Sequence, residues 1–187
     1  MALSFLDSLD SKRHLLLLYE DPEFARLIEF RFIRNGLKNG ENCIYGSAED
    51  SGSVIIKMLT FGIALKYLQS KQLQVLQINN RDGSKEAILK SCRKDIERIM
   101  SGLVPPYRIV SRIVPNVDTI EGISAELELE RNLQKTFDEL GGSVLCPYDM
   151  SKIEKKHKDE WIRELRKNHH VEIYVSKSGQ GRVFELN

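Results

Sequence analysis

The chain has 187 residues, 41% of them hydrophobic and 29% charged, which is typical of one globular domain and excludes a disordered or fibrous chain. A formal net charge of +1 gives no overall attraction to nucleic acid or to an anionic membrane. The first residues lack a signal-peptide pattern and no apolar run is long enough for a membrane span, so we expect a cytoplasmic protein without membrane contact. Three cysteines without a CxxC pair predict reduced thiols.

The stretch 14–47 predicts a right-handed βαβ unit. Residues 15–19 (LLLLY) lack polar alternation, which favours a central strand of a parallel sheet. Asp21 predicts an N-cap for a helix over 22–35 that ends at Gly36. Residues 41–47 return as a second strand parallel to the first. The helix is expected to bury Phe24, Leu27, Ile28 and Phe32.

The rest of the chain alternates helices and strands. Apolar residues at helical spacing predict helices over 54–69, with a break near Gly62, and over 85–100, 121–140 and 152–168. Short apolar runs predict strands over 73–78, 107–114 and 143–148, and a terminal hairpin over 171–175 and 182–186. This order predicts a three-layer α/β fold, in which a mainly parallel sheet of about five strands has helices on both faces. We expect one domain over 1–187, with a core over 12–170 and the hairpin over 171–187.

Residues 32–49 (FIRNGLKNGENCIYGSAE) resemble the segment after the Walker A helix of RecA-like ATPases of the KaiC kind. In that family the first strand leads into a glycine-rich loop whose amides and lysine cradle phosphates. Here the corresponding turn, 19–26 (YEDPEFAR), has no glycine, lysine, serine or threonine, and residues 108–113 supply no Walker B acid. Glu20, Asp21 and Glu23 place like charge where a phosphate would bind. We therefore expect a degenerate nucleotide fold without enzyme activity.

Three segments more closely resemble the MEDS domain, a non-catalytic RecA-like derivative named from methanogens and from a dichloromethane-responsive repressor of a methylotroph. They are 14–25 (HLLLLYEDPEFA), 36–41 (GLKNGE) and 146–149 (CPYD), and the likeness spans 12–170. The resemblance implies a sensory domain that binds a small organic ligand in signal transduction. A typical member has an arginine followed by glycine-glutamate and a tryptophan near the fourth strand, whereas this chain has Arg108 and then 111–115 (SRIVP). Ligand contacts made by that motif are not carried over to this chain.

The ligand is expected at the carboxyl ends of the strands, where open α/β sheets place their ligands. Aromatic rings and carboxylates there predict a crevice for a small, partly apolar or cationic molecule rather than a nucleoside triphosphate. The rule selects Tyr19, Glu20 and Asp21 after the first strand, Ser47 and Glu49 after the second, Asn79 and Arg81 after the third, Arg112 and Asn116 near the fourth, and Tyr148 and Asp149 after the fifth.

No catalytic residue, cofactor or metal ion is predicted. His169 and His170 have no second ligand cluster at metal spacing, so they are interpreted as cations at a helix end. Apolar neighbours favour buried, inert thiols over redox sensors at Cys43 and Cys146. Capping of a helix end explains the acidic residues at 20, 21 and 23 without a ligand.

Three alternatives from other classes remain open. One is an interaction module that binds a signalling protein or associates with itself as a homodimer. Another is weak nucleic-acid binding by the helix at 152–168, in which seven basic residues outnumber four acids. The least favoured is an enzyme that uses carboxylates and Tyr148 for general acid/base work. The basic residues are Lys152, Lys155, Lys156, Lys158, Arg163, Arg166 and Lys167.

Overall fold

The computed structural model describes residues 2–9, 12–79, 81–112 and 115–186. Its strands are β1 (His14–Tyr19), β2 (Asn42–Ser47), β3 (Leu73–Gln77), β4 (Tyr107–Ser111), β5 (Gly142–Asp149), β6 (Val171–Val175) and β7 (Gly181–Glu185). Its helices are α1 (Ala2–Asp7), α2 (Pro22–Lys38), α3 (Ser51–Thr60), α4 (Lys66–Gln69), α5 (Lys85–Met100), α6 (Ile120–Lys135), α7 (Phe137–Leu140) and α8 (Lys158–Lys167).

The strands form a seven-stranded sheet in the order β3-β2-β4-β5-β1-β6-β7. Every neighbouring pair is parallel except β6 and β7, which run antiparallel. The predicted α/β fold with a mainly parallel sheet and a terminal hairpin is therefore confirmed. The hairpin is part of the same sheet, because β6 pairs in parallel with β1, and this raises the strand number from five to seven.

The central strand β1 separates two cores. Its six residues are all buried, and successive side chains point to opposite faces of the sheet. Leu15 and Leu17 pack in the core that contains α1 and α2. Leu16 and Leu18 pack in the other core, against α6 and α8. Helices therefore cover both faces, as the three-layer prediction requires.

The start of α2 is as predicted, and its end is not. The Asp21 carboxylate accepts hydrogen bonds from the amides of Glu23 and Phe24 at 3.0 and 3.1 Å. The helix continues past Gly36 to Lys38. A Cβ added to Gly36 would lie 2.6 Å from Cδ of Arg108. The glycine allows close packing against β4 instead of ending the helix.

Four other predictions need correction or qualification. Leu27 is 41% exposed rather than buried. The predicted helix over 121–140 is interrupted at Thr136, between α6 and α7. The helix predicted from residue 152 begins at Lys158, because the Asp149 and Glu154 carboxylates accept backbone hydrogen bonds that turn the chain before it. Residues 113 and 114 of the predicted fourth strand lie outside the described residues.

The break at Gly62 is confirmed, since α3 and α4 are separate helices and Gly62 has a φ of +95°. The helix α1 was not predicted. None of the described helices has both the length and the apolar character needed to cross a membrane.

We predict that Gly36→Ala destabilises the protein. The new methyl group would overlap Arg108, whose guanidinium is held by hydrogen bonds to Glu41 and to the Phe32 carbonyl. Overpacking of this kind costs about 1–3 kcal/mol, more than the gain in helix propensity of about 1 kcal/mol. Urea unfolding measures the difference. As the control, Gly102→Ala should change stability by less than about 0.5 kcal/mol, because no atom lies within 4 Å of its added Cβ. Equal stability of the two variants would contradict the packing role.

Candidate functional site

A buried ionic network lies on the α2 side of the sheet at the carboxyl ends of β1, β2 and β4. Arg112 donates to the Tyr19 hydroxyl at 3.1 Å and, through Nε, to the Glu29 carboxylate at 3.1 Å. Glu29 is fully buried and also accepts from the Tyr45 hydroxyl at 2.5 Å. Of the predicted site residues, Tyr19 and Arg112 are thus brought into direct contact.

The same network extends to Glu49, a third predicted residue. Arg26 donates to the Tyr45 hydroxyl at 2.8 Å and also pairs with Glu49. Lys57 contributes a second hydrogen bond to Glu49 at 2.9 Å. Partial burial opposes ionisation of Glu49, but the hydrogen bonds from Arg26 and Lys57 lower its pKa to about 2. Each carboxylate of the network is paired with at least one cation, and the network ties α2 to the ends of three strands.

Most other predicted residues make local contacts at turns. Asp21 caps α2, and Asp149 accepts from the Ser151 amide at 2.9 Å. The Ser47 hydroxyl accepts from the Glu49 amide at 3.2 Å.

The loops of the third and fourth strands meet where the Asn116 amide donates to the Arg81 carbonyl, at 3.3 Å. Arg81 pairs with Asp95, whereas Glu20 and Asn79 are exposed. A ligand-binding role for these residues stays a prediction.

Tyr148, the remaining predicted residue, faces the opposite core. Its hydroxyl contacts the carboxylates of Glu126, at 2.5 Å, and of Glu130, one turn further along α6. Burial, together with the charge of Glu130, raises the pKa of Glu126. A hydroxyl has only one proton to donate, so Tyr148 can donate to only one of the two carboxylates at a time. Burial and these acidic neighbours also raise the pKa of Tyr148.

A cleft of about 350 Å³ lies beside this acidic pair, between α5, α6, β4 and β5. Glu126, Glu130 and Cys146 contribute polar atoms to a largely apolar wall. Within the described part of the chain, the buried Oε2 of Glu126 has no hydrogen-bond partner. The cleft can therefore hold a small apolar molecule with one hydrogen-bonding group. Its apolar wall includes Ile96, Ile99, Met100, Ile109, Leu129, Leu133, Leu140 and Val144.

Among the described residues that line this cleft, none belongs to the set predicted at the strand ends. Tyr148 reaches the cleft only through Glu126 and Glu130. Sequence reasoning missed both carboxylates, although a signal was present. They lie four residues apart, on the side of α6 that also carries the buried Ile123 and Leu127. Acidic side chains on an apolar helix face are uncommon unless they are paired.

Glu130 also belongs to a buried cluster that could hold a metal ion. His14 Nε2 and His169 Nε2 lie 3.0 and 3.6 Å from Glu130 Oε2, and Cys146 Sγ lies 3.5 Å from His14 Nε2. The four potential ligand atoms are all within 4.8 Å of one another. Neither His14 nor Glu130 was singled out in the sequence, because the four residues are spread over 156 positions of the chain.

The interpretation of His169 as a helix-end cation is wrong. Its Nδ1 lies 2.7 Å from the Leu165 carbonyl oxygen, so the ring does contact the end of α8. Burial, however, lowers its pKa to about 4, so the ring is neutral at pH 7. The thiols of Cys43 and Cys146 are buried as predicted, and Cys92 is buried too. Burial raises the pKa of Cys43 to about 12.

The profile of a sensory family, described as "MEthanogen/methylotroph, DcmR Sensory domain", matches residues 13–170. The chain belongs to the MEDS family. The matched MEDS region contains the strand-end network, the cleft and the buried cluster. The comparison with curated proteins finds no significant match.

Solved structures similar to this MEDS domain share its RecA-like fold. A KaiC-like protein from the hyperthermophilic archaeon Pyrococcus horikoshii OT3 is 16% identical, with a TM-score of 0.58 over 91% of this chain and 76% of that chain. The ATPase domain of G40P is 12% identical, with a TM-score of 0.52 over 89% of this chain and 70% of that chain. At these identities the likeness shows the fold alone.

We predict that Arg112→Met destabilises the MEDS domain by about 3 kcal/mol, because Glu29 would remain buried without its charged partner. The double variant Glu29→Met, Arg112→Met should recover much of this loss, since it removes both charges. Guanidinium unfolding measures both. Arg98→Met is the control, because Arg98 is 72% exposed and its ion pair with Asp95 should contribute less than about 1 kcal/mol. A similar effect of the two single variants would show that the buried pair has no special role.

Proposed function

We propose that this MEDS domain is a non-catalytic sensor that binds a small, partly apolar organic molecule in the cleft between α5, α6, β4 and β5. The sensory family supports the regulatory role. The observation that carries the location is the Oε2 of Glu126, which is unpaired within the described part of the chain and belongs to a residue of the mainly apolar cleft wall. An unsatisfied buried polar group costs about 1–3 kcal/mol. A ligand hydroxyl or amino group that donates to this oxygen would remove that cost.

The size and chemistry of the cleft limit the ligand. Its volume of about 350 Å³ is near the lower end of the usual range of about 300–1,000 Å³ for small-molecule sites. Arg93 and Asn132 are exposed residues at the rim, whereas the interior is mainly aliphatic. A compact alcohol or amine suits this lining, and a nucleoside triphosphate does not.

The start of α2 supports a sensor without phosphate chemistry. In phosphate-binding loops the first amides of this helix point to the ligand. Here the amides of Glu23 and Phe24 are already bound by the Asp21 carboxylate. The carboxylates of Glu20 and Glu23 add negative charge beside the same helix end. A nucleotide would have to displace the cap against this charge.

We expect no magnesium-dependent ATP hydrolysis, because the side chain of Asp21 occupies the amides that a phosphate would need. Phosphate release from ATP, measured with and without magnesium, tests this. Turnover that disappears in Asp21→Ala but persists in Asp138→Ala, a change at an exposed acid on α7, would contradict the proposal.

A thermal-shift screen of short-chain alcohols and amines tests the proposed ligand class and its location in the cleft. A ligand at 100 times its Kd should stabilise the protein by about 2.7 kcal/mol. Leu133→Trp should abolish the shift by filling the cleft, and Glu126→Ala should reduce it by removing the acceptor. Tyr19→Ala should leave the shift unchanged, because Tyr19 lies on the other face of the sheet.

The opposite pattern, in which Tyr19→Ala abolishes the shift and Leu133→Trp does not, would place the ligand at the strand ends and contradict the cleft. A screen without any hit would also contradict the proposal. It would favour the self-associating module, for which Ile56 and Leu65, 67% and 51% exposed, are candidate contacts.

A further inference from the structure

Four atoms of metal-binding type meet in the core beside the cleft. They come from separate parts of the fold: His14 in β1, Glu130 in α6, Cys146 in β5 and His169 between α8 and β6. We propose that these four side chains form a closed, four-coordinate site for a divalent transition-metal ion of the zinc class. The inference does not rest on the proposed organic ligand, since it uses only contacts among residues of the chain.

Three of the six separations between the ligand atoms are close to those of a tetrahedral zinc site, and all six are within 4.8 Å. Zn–N and Zn–O bonds of about 2.0–2.1 Å and a Zn–S bond of about 2.3 Å place neighbouring N and O ligands about 3.3 Å apart, and S and N ligands about 3.5 Å apart. The contacts of Glu130 Oε2 with His14 Nε2 and His169 Nε2 are 3.0 and 3.6 Å. The distance from Cys146 Sγ to His14 Nε2 is 3.5 Å. These three contacts already have the lengths that a bound ion requires, and the other pairs would have to approach from at most 4.8 Å.

Two of the four atoms lack a full set of hydrogen bonds. Within the described part of the chain His169 Nε2 is buried without a partner, and Glu130 Oε2, which is also buried, faces His14 Nε2 at 3.0 Å. Their residues, His169 and Glu130, are 1% and 4% exposed. The contact between His169 Nδ1 and the Leu165 carbonyl identifies Nδ1 as the N–H donor. The neutral ring then presents the lone pair of Nε2 to the Glu130 carboxylate. Two facing lone pairs require a proton or a cation between them.

Contacts outside the cluster orient the ligands as in known metal sites. Metal-binding histidines usually donate their other N–H to a carbonyl or carboxylate. His169 donates to the Leu165 carbonyl, and His14 Nδ1 lies 3.0 Å from the side-chain oxygen of Gln134. The hydroxyl of Tyr148 donates to the second oxygen of Glu130. Three of the four proposed ligands are therefore held by hydrogen bonds of the type that supports a metal centre.

The competing arrangement is a metal-free hydrogen-bond chain. The His14 amide donates to His170 Nδ1 at 3.0 Å, so a neutral His170 carries its proton on Nε2. If the oxygen and nitrogen of the Gln134 amide are exchanged, its oxygen accepts the His170 Nε2–H and its nitrogen donates to His14 Nδ1. The proton of a neutral His14 is then on Nε2, which faces Glu130. This arrangement supplies no proton to His169 Nε2. With a metal bound, the His14 proton would be on Nδ1, and the partly exposed His170 would lose its hydrogen bond to Gln134. In return, all four ligand atoms would be bound to the ion.

The charges and burial of the ligands also favour the metal. One thiolate and one carboxylate neutralise a divalent cation, and two neutral imidazoles complete four-coordination. A neutral centre is suited to a site whose residues are at most 4% exposed. With four protein ligands and no open position, the ion would hold elements together rather than activate water.

Metal analysis of the untagged, full-length protein tests the site. Protein purified from zinc-containing medium should hold about one zinc ion per chain. After chelation, titration with Co²⁺ should give the visible bands of tetrahedral cobalt and a thiolate-to-cobalt charge-transfer band. Tyr148→Phe should weaken Co²⁺ binding by about 10-fold, because it removes a hydrogen bond to a ligand. Cys43→Ser is the matched control, since both Cys43 and Cys146 are buried but only Cys146 belongs to the cluster.

The Cys146→Ser variant should lose the charge-transfer band, and Cys43→Ser should keep it. If Cys146→Ser does not fold, the double variant Cys43→Ser, Cys92→Ser tests whether Cys146 binds cobalt, because Cys146 is then the one remaining thiol of the chain. Persistence of the band supports the site, and its loss overturns it. A folded wild type that neither contains zinc nor shows the cobalt spectrum establishes the metal-free chain. No organic ligand is added, so these results are independent of the screen for a cleft ligand.

Discussion

The register of β1 between β5 and β6 determines where the polar side chains of the interior lie. Each residue of β1 is buried, so alternation along the strand assigns every side chain to one of two closed cores. Tyr19 is directed to the α2 side, where it meets Arg112. His14 is directed to the other side, where it meets Glu130. A shift of the β1 register by one residue would move every side chain of the strand to the opposite core, and leucines would then pack against the charged groups.

The two faces handle buried charge in different ways. On the α2 side, Glu29 has a guanidinium partner in Arg112, and the pair is completed by tyrosine hydroxyls. On the α6 side, no lysine or arginine forms an ion pair with Glu126 or Glu130 among the described residues. Their contacts are with Tyr148 and with histidines. The first face is self-sufficient, whereas the second depends on protons or on a bound cation.

The sequence was sufficient for the features that depend on local pattern. The leucine run of β1, the Asp21 cap and the amphipathic helix α5 are each specified by neighbouring residues, and the family motifs are continuous segments. The sequence did not reveal features that depend on distant approach. Gly36 resembles a helix end until Arg108 is seen against it. Nothing in the sequence around Glu29 indicates its burial, because its partner Arg112 lies 83 residues away.

The candidate site was the least predictable part for the same reason. The rule for strand ends selected Tyr19, Glu49 and Arg112 as ligand-binding residues, and the structure places them in one network whose contacts leave few free groups. The cleft is formed by the packing of α5 and α6 over the sheet, and no short segment contains that information. The late start of α8 has a local origin instead, since bonds from the Glu154 side chain to the backbone two and three residues later compete with helix formation.

Glu130 lines the cleft and belongs to the buried cluster, so binding at one of the two proposed sites would be coupled to binding at the other. Its carboxylate lines the cleft while one oxygen faces His14 and His169. Any molecule in the cleft that changes the position or charge of Glu130 must also change the affinity of the cluster for a proton or cation. By reciprocity, occupancy of the cluster must alter the affinity of the cleft by the same factor. Because His169 lies two residues before β6, binding at the cluster would act at the start of the hairpin that forms the β7 edge of the sheet.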